Sequence, residues 1–438
     1  MNIITLDCGA SFIKGAKFDA NTGNIISQVQ EAAPSLRDDD DFCNPQNIKR
    51  LVLIVTKMVN ELRDNEEEIA VGISNEMHGF ILAHENGDAY TDYISWQREY
   101  GKVNVNGRSG MSVLSQKKHV NNIENTGMKL RAGLPSCNLW YIYNTILASG
   151  KTKLVFYTLG DYIIRNVFGV ECKCHPTNAA GTGLMNIYTG AWNNELIDEV
   201  CLGSIRFPKI GKEIVKCEVD GAVYHVYSAI GDQQAALLGS GLSKEGDLSF
   251  NLGTGAQVSI LSDNPVRREG LQTRPFFYDK YLLTLPHIPS GRAINVLVRF
   301  IKDALSYFDV DADTESVWRT ILHLESSVNE YSMKCDLSFF ENAITDLTKG
   351  SLSNIGEYDL TLPNVVDVVF SQLSSNYLLA AQKVQPQKEN VKRIIFSGGI
   401  AKKIPQIRDS IINYYNEDYE IAENETMKGL YLAVSEML

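Results

Sequence analysis

The sequence predicts an α/β fold in two domains, and three observations carry that prediction. The chain has 438 residues, too many for one small core. Strand-like and helix-like runs alternate along it. A strand–glycine–strand unit at the start returns half a chain later with the same build. In the first unit, residues 3–8 alternate as a strand, Gly9 opens a tight turn, and a second strand returns through Ile13 and Ala16 to Asp19. In the second, residues 247–252 run into Gly253-Thr254-Gly255, and residues 256–260 return. Two such units imply two related domains, each offering a hairpin turn to one ligand. A turn without bulky side chains exposes backbone N–H groups, which bind phosphate oxygens well.

Between the hairpins the elements follow in order. Residues 38–41 are an acidic loop, read as solvated. Ile48, Leu51, Val52, Val55, Val59 and Leu62 lie at helical spacing and predict an amphipathic helix over 47–63. Residues 69–74 read as a buried strand ending at Asn75-Glu76-Met77-His78-Gly79, and ligands gather at such strand ends in α/β sheets. Residues 138–149 and 154–168 read as helices. Residues 175–192, rich in Thr, Asn, Gly and Ala, read as a loop closing over something small. A strand from Val226 feeds Gly231-Asp232-Gln233-Gln234 and a helix of small residues, with the domain boundary just beyond, giving 1–243 and 244–438. Late in the chain a strand over 393–396 meets Ser397-Gly398-Gly399, then a helix with Pro405 in its first turn and Ile404, Ile407 and Ile411 on one face.

Composition narrows the function. The formal charge of −12 argues against nucleic acid as the main partner, whereas a nucleotide needs only a local patch of N–H groups and a metal. No run of 18 apolar residues predicts a membrane span. The opening residues enter a strand and reach Asp7 at once, so no secretory leader is expected. The eight cysteines are scattered, which fits a reducing cytoplasm. Cys172, Cys174 and His175 have the spacing of half a metal site, but no second half lies nearby and a surface strand is the plainer reading.

Several residues could carry chemistry. Asp7 beside the first glycine turn makes sense if Mg²⁺ stands between its carboxylate and a polyphosphate, with Lys14 adding positive charge; alone, it reads equally as a turn aspartate. Gly253-Thr254-Gly255 is the matching turn. Gly398 and Gly399 allow an adenine or ribose to pack flat on backbone. Asp232 could accept the proton of an alcohol in phosphoryl transfer, or simply cap its helix. Met77 and His78, with Trp96, Gln97 and Arg98, offer the apolar faces and polar groups that bind sugars.

Together these residues resemble the FGGY carbohydrate kinases of the actin-like ATPase superfamily, along nearly the whole chain. Asp7-x-Gly9-x-Ser11-x-x-Lys14 resembles the first phosphate motif and Gly253-Thr254-Gly255 the second. Gly231-Asp232-Gln233-Gln234 resembles the segment with the catalytic aspartate. Ser397-Gly398-Gly399-Ile400-Ala401-Lys402 resembles the adenosine motif. Pro176-Thr177-Asn178-Ala179-Ala180 and Trp192 resemble a sugar-kinase loop. The resemblance implies two actin-like (ribonuclease H-like) domains, each a mixed sheet flanked by helices, closing on ATP, Mg²⁺ and a sugar in the cleft between them. It implies Asp232 as catalytic base, Asp7 and Asp232 at the metal, and Glu76, Met77, His78, Trp96, Gln97, Arg98, Asn178, Asp232 and Gln233 at the sugar. A homodimer is compatible with it.

The substrate implied is a ketose. Glu76-Met77-His78-Gly79 resembles the Met-His segment of xylulokinases, while glycerol-type members carry an Arg-Glu pair there. Trp96-Gln97 and the Pro-x-Asn-Ala-Ala segment resemble sedoheptulokinases, and Ser290-Gly291-Arg292 departs from that group's Asn-Gly-Gly. Sedoheptulose is the first expectation, with xylulose or ribulose behind it. A sugar- or nucleotide-binding regulator without catalysis, or an actin-like ATPase acting on protein partners, are the readings from other classes. Both Asp7 and Asp232 are present, which weighs against the regulator, and the Met77-His78 and Trp96-Gln97-Arg98 segments weigh against the ATPase.

Overall fold

Strand pairing gives the described residues two large sheets with the same internal plan, beside three small ones. The structure, a computed structural model, describes residues 1–35, 42–147, 153–324, 331–345 and 347–438; the acidic run at 38–41 lies outside them. In the first sheet, strands Asn2–Cys8, Phe12–Phe18 and Ile25–Ala32 follow one another antiparallel. On its other edge Asn2–Cys8 pairs in parallel with Glu68–Asn75, which pairs in parallel with Ala222–Tyr227 and with Ile230–Gly231. The second sheet repeats this. Strands Asp247–Leu252, Ala256–Ser262 and Tyr281–Ile288 are antiparallel, and Asp247–Leu252 continues in parallel through Arg393–Ser397 to Asp418–Ile421.

The two-residue period of a strand assigns each face. Ile4, Leu6 and Cys8 point into one core with Ile69, Val71 and Ile73, under helix Gln46–Arg63, which buries Ile48, Leu51, Val55, Met58, Val59 and Leu62. Ile3 points the other way, into a core shared by both halves of the chain. That core draws on helix Asp232–Gly239, helix Glu425–Ser435, and Leu261, Leu282 and Ile395 of the second sheet. Asp7 has the parity of Ile3, so it lies on the face turned toward the second sheet. Leu248, Phe250 and Leu252 fill the second sheet's own core with helix Leu362–Val384. By the same parity Gln257, one residue from inward-facing Ala256 and Val258, turns back toward the first sheet.

The segment between Glu68–Asn75 and Ala222–Tyr227 forms a separate layer with its own core around Phe80, Leu139, Phe156 and Leu196. Here three readings from sequence need correction. Residues 154–157 are a strand, pairing with Ile81–Ala83 and Ile205–Arg206, and the helix begins only at Leu159, after Thr158 caps it. Four consecutive buried residues make a strand core as readily as a helix turn, and the cap decides where the helix starts. The helix read as 138–149 is Pro135–Thr145, started early by Pro135. Residues 175–192 are not one loop but helix Pro176–Gly181 and a ladder between Met185–Asn186 and Ala191–Trp192.

Cys172, Cys174 and His175 are buried, not on a surface strand. His175 Nδ1 accepts the backbone N–H of Thr177 as the cap of helix Pro176–Gly181. Among the described residues no group of three His, Cys, Asp or Glu side chains could hold a metal ion.

Helix Glu425–Ser435 packs against helix Asp232–Gly239 at two glycines. A Cβ on Gly429 would lie 1.8 Å from the carbonyl oxygen of Ala235, and one on Gly239 would lie 1.8 Å from that of Glu425. These obstacles are helical backbone and cannot swing aside. Gly429→Ala should therefore force the pair apart and lower the unfolding free energy by about 2–3 kcal/mol, read as a lower urea midpoint. An unchanged midpoint would mean that the helices separate freely.

Candidate active site

The site is assembled by register. Pairing of Asn2–Cys8 with Glu68–Asn75 sets Asp7 beside Ser74, and pairing of Ile230–Gly231 with Ser74 and Asn75 sets Asp232 one residue beyond the same edge. Ser74 Oγ donates to Asp7 Oδ1 at 2.8 Å. Lys14 is the cross-strand partner of Asp7 in the first hairpin and is exposed, while Gly9 and Ser11 form its turn. Burial pushes the Asp7 carboxyl above the usual carboxylate range, against the Ser74 hydrogen bond and the Lys14 charge.

Asp232 opens its helix with no side-chain cap from Gly231, and its Oδ1 accepts the backbone N–H of Gln233 at 2.8 Å. Burial first, and then the negative charge of Asp7, push its carboxyl up to about 7; Glu76 acts in the same direction and Arg274 against it. Gln233 ties this segment to the second sheet: its Nε2 donates to Gln257 Oε1 at 2.6 Å, and Arg274 Nη1 donates to its Oε1. Asp232 thus sits between the first hairpin and the returning strand of the second.

The sugar-facing residues predicted from sequence gather around this edge, with differences in role. Glu76 accepts a hydrogen bond from Ser95 Oγ at 3.2 Å, which anchors the turn carrying Trp96, Gln97 and Arg98. Trp96, 39% exposed, stands on the wall of a cleft of about 920 Å³ shared with Arg131, Gln272 and His287. Met77 is buried, its thioether wedged between Gly181 and Gly231, so it shapes the floor. His78, at φ +65°, donates from Nδ1 to the Gly181 carbonyl at 2.7 Å. Burial, with Arg274 and Arg131 nearby, holds it neutral well below the usual histidine range, leaving Nε2 as an acceptor. Asn178 is 4% exposed, and its amide donates to Asn75 Oδ1 and to the Ala229 carbonyl, both at 2.9 Å. Its side chain binds helix Pro176–Gly181 to the strand edge and acts from behind the site.

In the second half, three loops converge. The Gly253 carbonyl accepts Ser290 Oγ at 2.8 Å and the Gly291 N–H at 3.1 Å, and the Thr254 carbonyl accepts the Arg292 N–H at 2.8 Å. Gly398 has φ +86°, and a Cβ there would meet the Leu252 carbonyl at 2.6 Å, so only glycine fits between the turns. Gly255 and Gly399 face open space. Ala401 is buried, and Lys402 is exposed, 3.8 Å from Glu423.

Residues 2–239 match the profile described as the FGGY family of carbohydrate kinases, N-terminal domain. The chain belongs to the FGGY family of carbohydrate kinases. Among curated relatives, a glycerol kinase of Marinomonas sp. (strain MWYL1) is 26% identical over 358 residues, covering 74% of this chain and 68% of that protein. A glycerol kinase of Leptospira biflexa is 24% identical over 351 residues, 73% of this chain and 66% of that protein. The chain thus aligns with about two thirds of the length of these FGGY relatives. In fold it is similar to the ligand-bound xylulose kinase from Lactobacillus acidophilus, with a TM-score of 0.80 and 18% identity over 100% of this chain and 88% of that one. Over its whole length the chain shares the mixed α/β fold of that structure.

Sequence reading did not find Ser74, Gln257, Arg131 or Arg274. Ser74 could have been found by aligning the ends of the first two parallel strands. Gln257 lies on the returning strand of the second hairpin, where its parity could have marked it, while Arg131 and Arg274 sit in segments with no motif and reach the site only through folding.

The raised carboxyl of Asp232 has a consequence for stability. An unfolded aspartate ionises near 3.8, the folded one near 7. Between those values the unfolded state releases its proton first, so the native state loses stability as pH rises across the window. Asp232→Asn should thus be more resistant to urea than the parent at pH 8, by about 1–3 kcal/mol, and equal to it near pH 4. Equal resistance at both pH values would mean that Asp232 is well solvated.

Proposed function

We propose that this FGGY kinase transfers the γ-phosphoryl group of ATP to a hydroxyl of a ketose, with Asp232 accepting the hydroxyl proton. The observation that carries this reading is the register that sets Asp7 and Asp232 at neighbouring strand ends, with Gln233, next to Asp232, bonded to Gln257 of the second hairpin; burial first, and then the charge of Asp7, push the Asp232 carboxyl up to about 7. A base with that affinity takes a proton at neutral pH more readily than an ordinary carboxylate, yet is ionised often enough to act. Gly9, Ser11 and Lys14 of the first turn, with Gly253, Thr254 and Gly255 of the second, hold the phosphates from two sides. Gly398, Gly399, Ala401 and Lys402 seat the adenosine.

Asp7 and Asp232 suit a magnesium ion. Both carboxylates are raised by burial, Asp232 further by the charge of Asp7, and Mg²⁺ commonly takes one or two protein carboxylates with phosphate oxygens. Bound there, the metal would neutralise the phosphate charge. Ser74 orients Asp7 through its hydrogen bond, and Gln233 holds the Asp232 segment against the second sheet. Trp96 offers a face to the sugar C–H bonds, while Glu76, Gln97, Arg98 and the Nε2 of His78 meet its hydroxyls. The neutral His78 at this position, where the sequence resembles ketose kinases, supports a ketose over glycerol, and the resemblance favours sedoheptulose ahead of xylulose and ribulose. Residues 1–243 and 244–438 are the proposed domains, working in the cytoplasm. No helix among the described residues is long and apolar enough to cross a membrane.

Coupled ADP release with a panel of ketoses and polyols tests the reading. Asp232→Asn should lower turnover by roughly 10²–10⁴, about 3–5 kcal/mol of barrier, while sugar binding is largely kept. Near-normal turnover would remove Asp232 from the mechanism. In the parent enzyme, kcat/KM should rise with pH up to about 7 and level off above it, because only the ionised base accepts the proton. A profile flat from pH 5 to 8 would contradict the assignment.

A further inference from the structure

The segment that carries the proposed base is held from behind by the first turn of helix Pro176–Gly181. Strand Ile230–Gly231 is only two residues long, so its ladder with Ser74 and Asn75 fixes little of the backbone before Asp232. Two side chains complete the hold. Asn178 Nδ2 donates to the Ala229 carbonyl at 2.9 Å, and Thr177 Oγ1 accepts the Gly231 N–H at 3.0 Å. All four residues are buried, Thr177 completely. Met77 also closes on Gly231, where a Cβ would lie 2.6 Å from its sulfur.

Behind Thr177 stands His175. Its Nδ1 lies 2.8 Å from Thr177 Oγ1 and 3.3 Å from the Thr177 backbone nitrogen, and its Nε2 lies 3.3 Å from the Tyr227 hydroxyl. Every direction in this chain of bonds is fixed by elimination. A backbone N–H only donates, so His175 Nδ1 accepts, and the ring proton sits on Nε2, where it is donated to the Tyr227 oxygen. The Gly231 N–H likewise only donates, so Thr177 Oγ1 accepts it and turns its own proton to His175 Nδ1. The ring must stay neutral for this, and burial first, with Lys212 nearby, holds it down to about 3. His175 is fully buried and packs against the rings of Tyr227 and Phe277, at centroid distances of 5.9 and 5.8 Å.

We infer that Thr177, oriented by His175, is the residue that positions the Asp232 carboxylate for proton transfer, acting through the Gly231 amide. The inference rests on Asp232 being the base proposed above. A base must lie within hydrogen-bond reach of the hydroxyl it deprotonates, and a misplacement of about 1 Å can lower a rate roughly a hundredfold. Thr177 and His175 are both fully buried, so they act through the backbone and not on the sugar or the nucleotide. Without the Thr177 hydroxyl a buried N–H has no partner, and the segment shifts toward water to satisfy it. Asp232 shifts with it, out of line with the acceptor hydroxyl and into better solvation.

The experiment measures coupled ADP release, with sedoheptulose, D-xylulose, D-ribulose and glycerol as acceptors, for Thr177→Val and Thr177→Ser in the parent and in the Asp232→Asn background. The first variant keeps the shape and removes the hydroxyl; the second keeps the hydroxyl. Thr177→Val should lower kcat about 10–100-fold, with KM for the sugar and for ATP within about twofold, and Thr177→Ser should stay within about threefold of the parent. In the Asp232→Asn background Thr177→Val should change kcat by less than about twofold, because the group it positions is gone. An equal loss in both backgrounds, or no loss in either, would overturn the inference and leave the base in place. Near-normal turnover of Asp232→Asn would instead remove the base, and the inference with it. If no acceptor yields ADP, urea resistance decides. The gain that Asp232→Asn shows at pH 8 over pH 4 should shrink by at least half in the Thr177→Val background, since Asp232 is then better solvated, and an unchanged gain would overturn the inference. Should Thr177→Val fail to fold, Thr177→Cys, whose thiol accepts only weakly, takes its place throughout.

Discussion

The site depends on the in-register parallel pairing of Asn2–Cys8, Glu68–Asn75 and Ile230–Gly231. That pairing brings Asp7, Glu76 and Asp232 to one sheet edge, where burial first, and then the charges of Asp7 and Glu76, raise the proton affinity of Asp232. A slip of one residue would turn Asp7 and Ser74 to the other face, among Ile4, Leu6 and Val71. The hydrophobic alternation that fixes the register therefore also fixes the chemistry. Ile3 and Ala70 on one face, and Ile4, Leu6, Ile69, Val71 and Ile73 on the other, lock the alignment long before any ligand is present.

The second sheet has the same plan, and the two are held together by a core that belongs to neither alone. Gly429 and Gly239 let two helices approach to backbone contact, and Gly72 leaves room for Val434 of the returning C-terminal helix. The join lies at the base of both sheets. Polar contact between the halves lies further up, through Gln233 to Gln257 and Arg131 to His287. An apolar base with polar links above it permits the halves to change their separation at the site without unpacking the shared core.

Much of this was legible in the sequence because period and glycine placement carry local information. The two hairpins, helix 47–63, the strand ending at Asn75 and the helix after Asp232 follow from alternation, 3.6-residue spacing and turn chemistry, and all are present. The errors fell where periodicity is silent. A buried four-residue run at 154–157 has no period to read, and the small residues of 176–181 were taken as a loop although Pro176 and the His175 cap start a helix. Asn178 was expected at the sugar, yet its amide is committed to Asn75 and Ala229, because a buried amide must find partners wherever the fold offers them. Arg131 and Arg274 could not be read at all. Nothing local marks them, because His287 beside Arg131 and Gln233 beside Arg274 lie far along the chain.

Arg274, acted on by both Arg131 and Asp232, connects the two halves of the electrostatics. The chain carries a formal charge of −12, so a nucleotide approaches against an unfavourable mean field. Favourable attraction must then be local, and Arg131 on the cleft wall provides part of it. The charge of Arg274 is under pressure, since burial and the neighbouring Arg131 hold it down to about 9. The same arginine opposes the upward push on Asp232 from Asp7 and Glu76. With Arg274 removed, the Asp232 carboxyl would rise further and stay more protonated at neutral pH. The affinity of the base near 7 is thus set first by burial, and then by a balance between the neighbouring carboxylates of Asp7 and Glu76 and the Arg274 guanidinium.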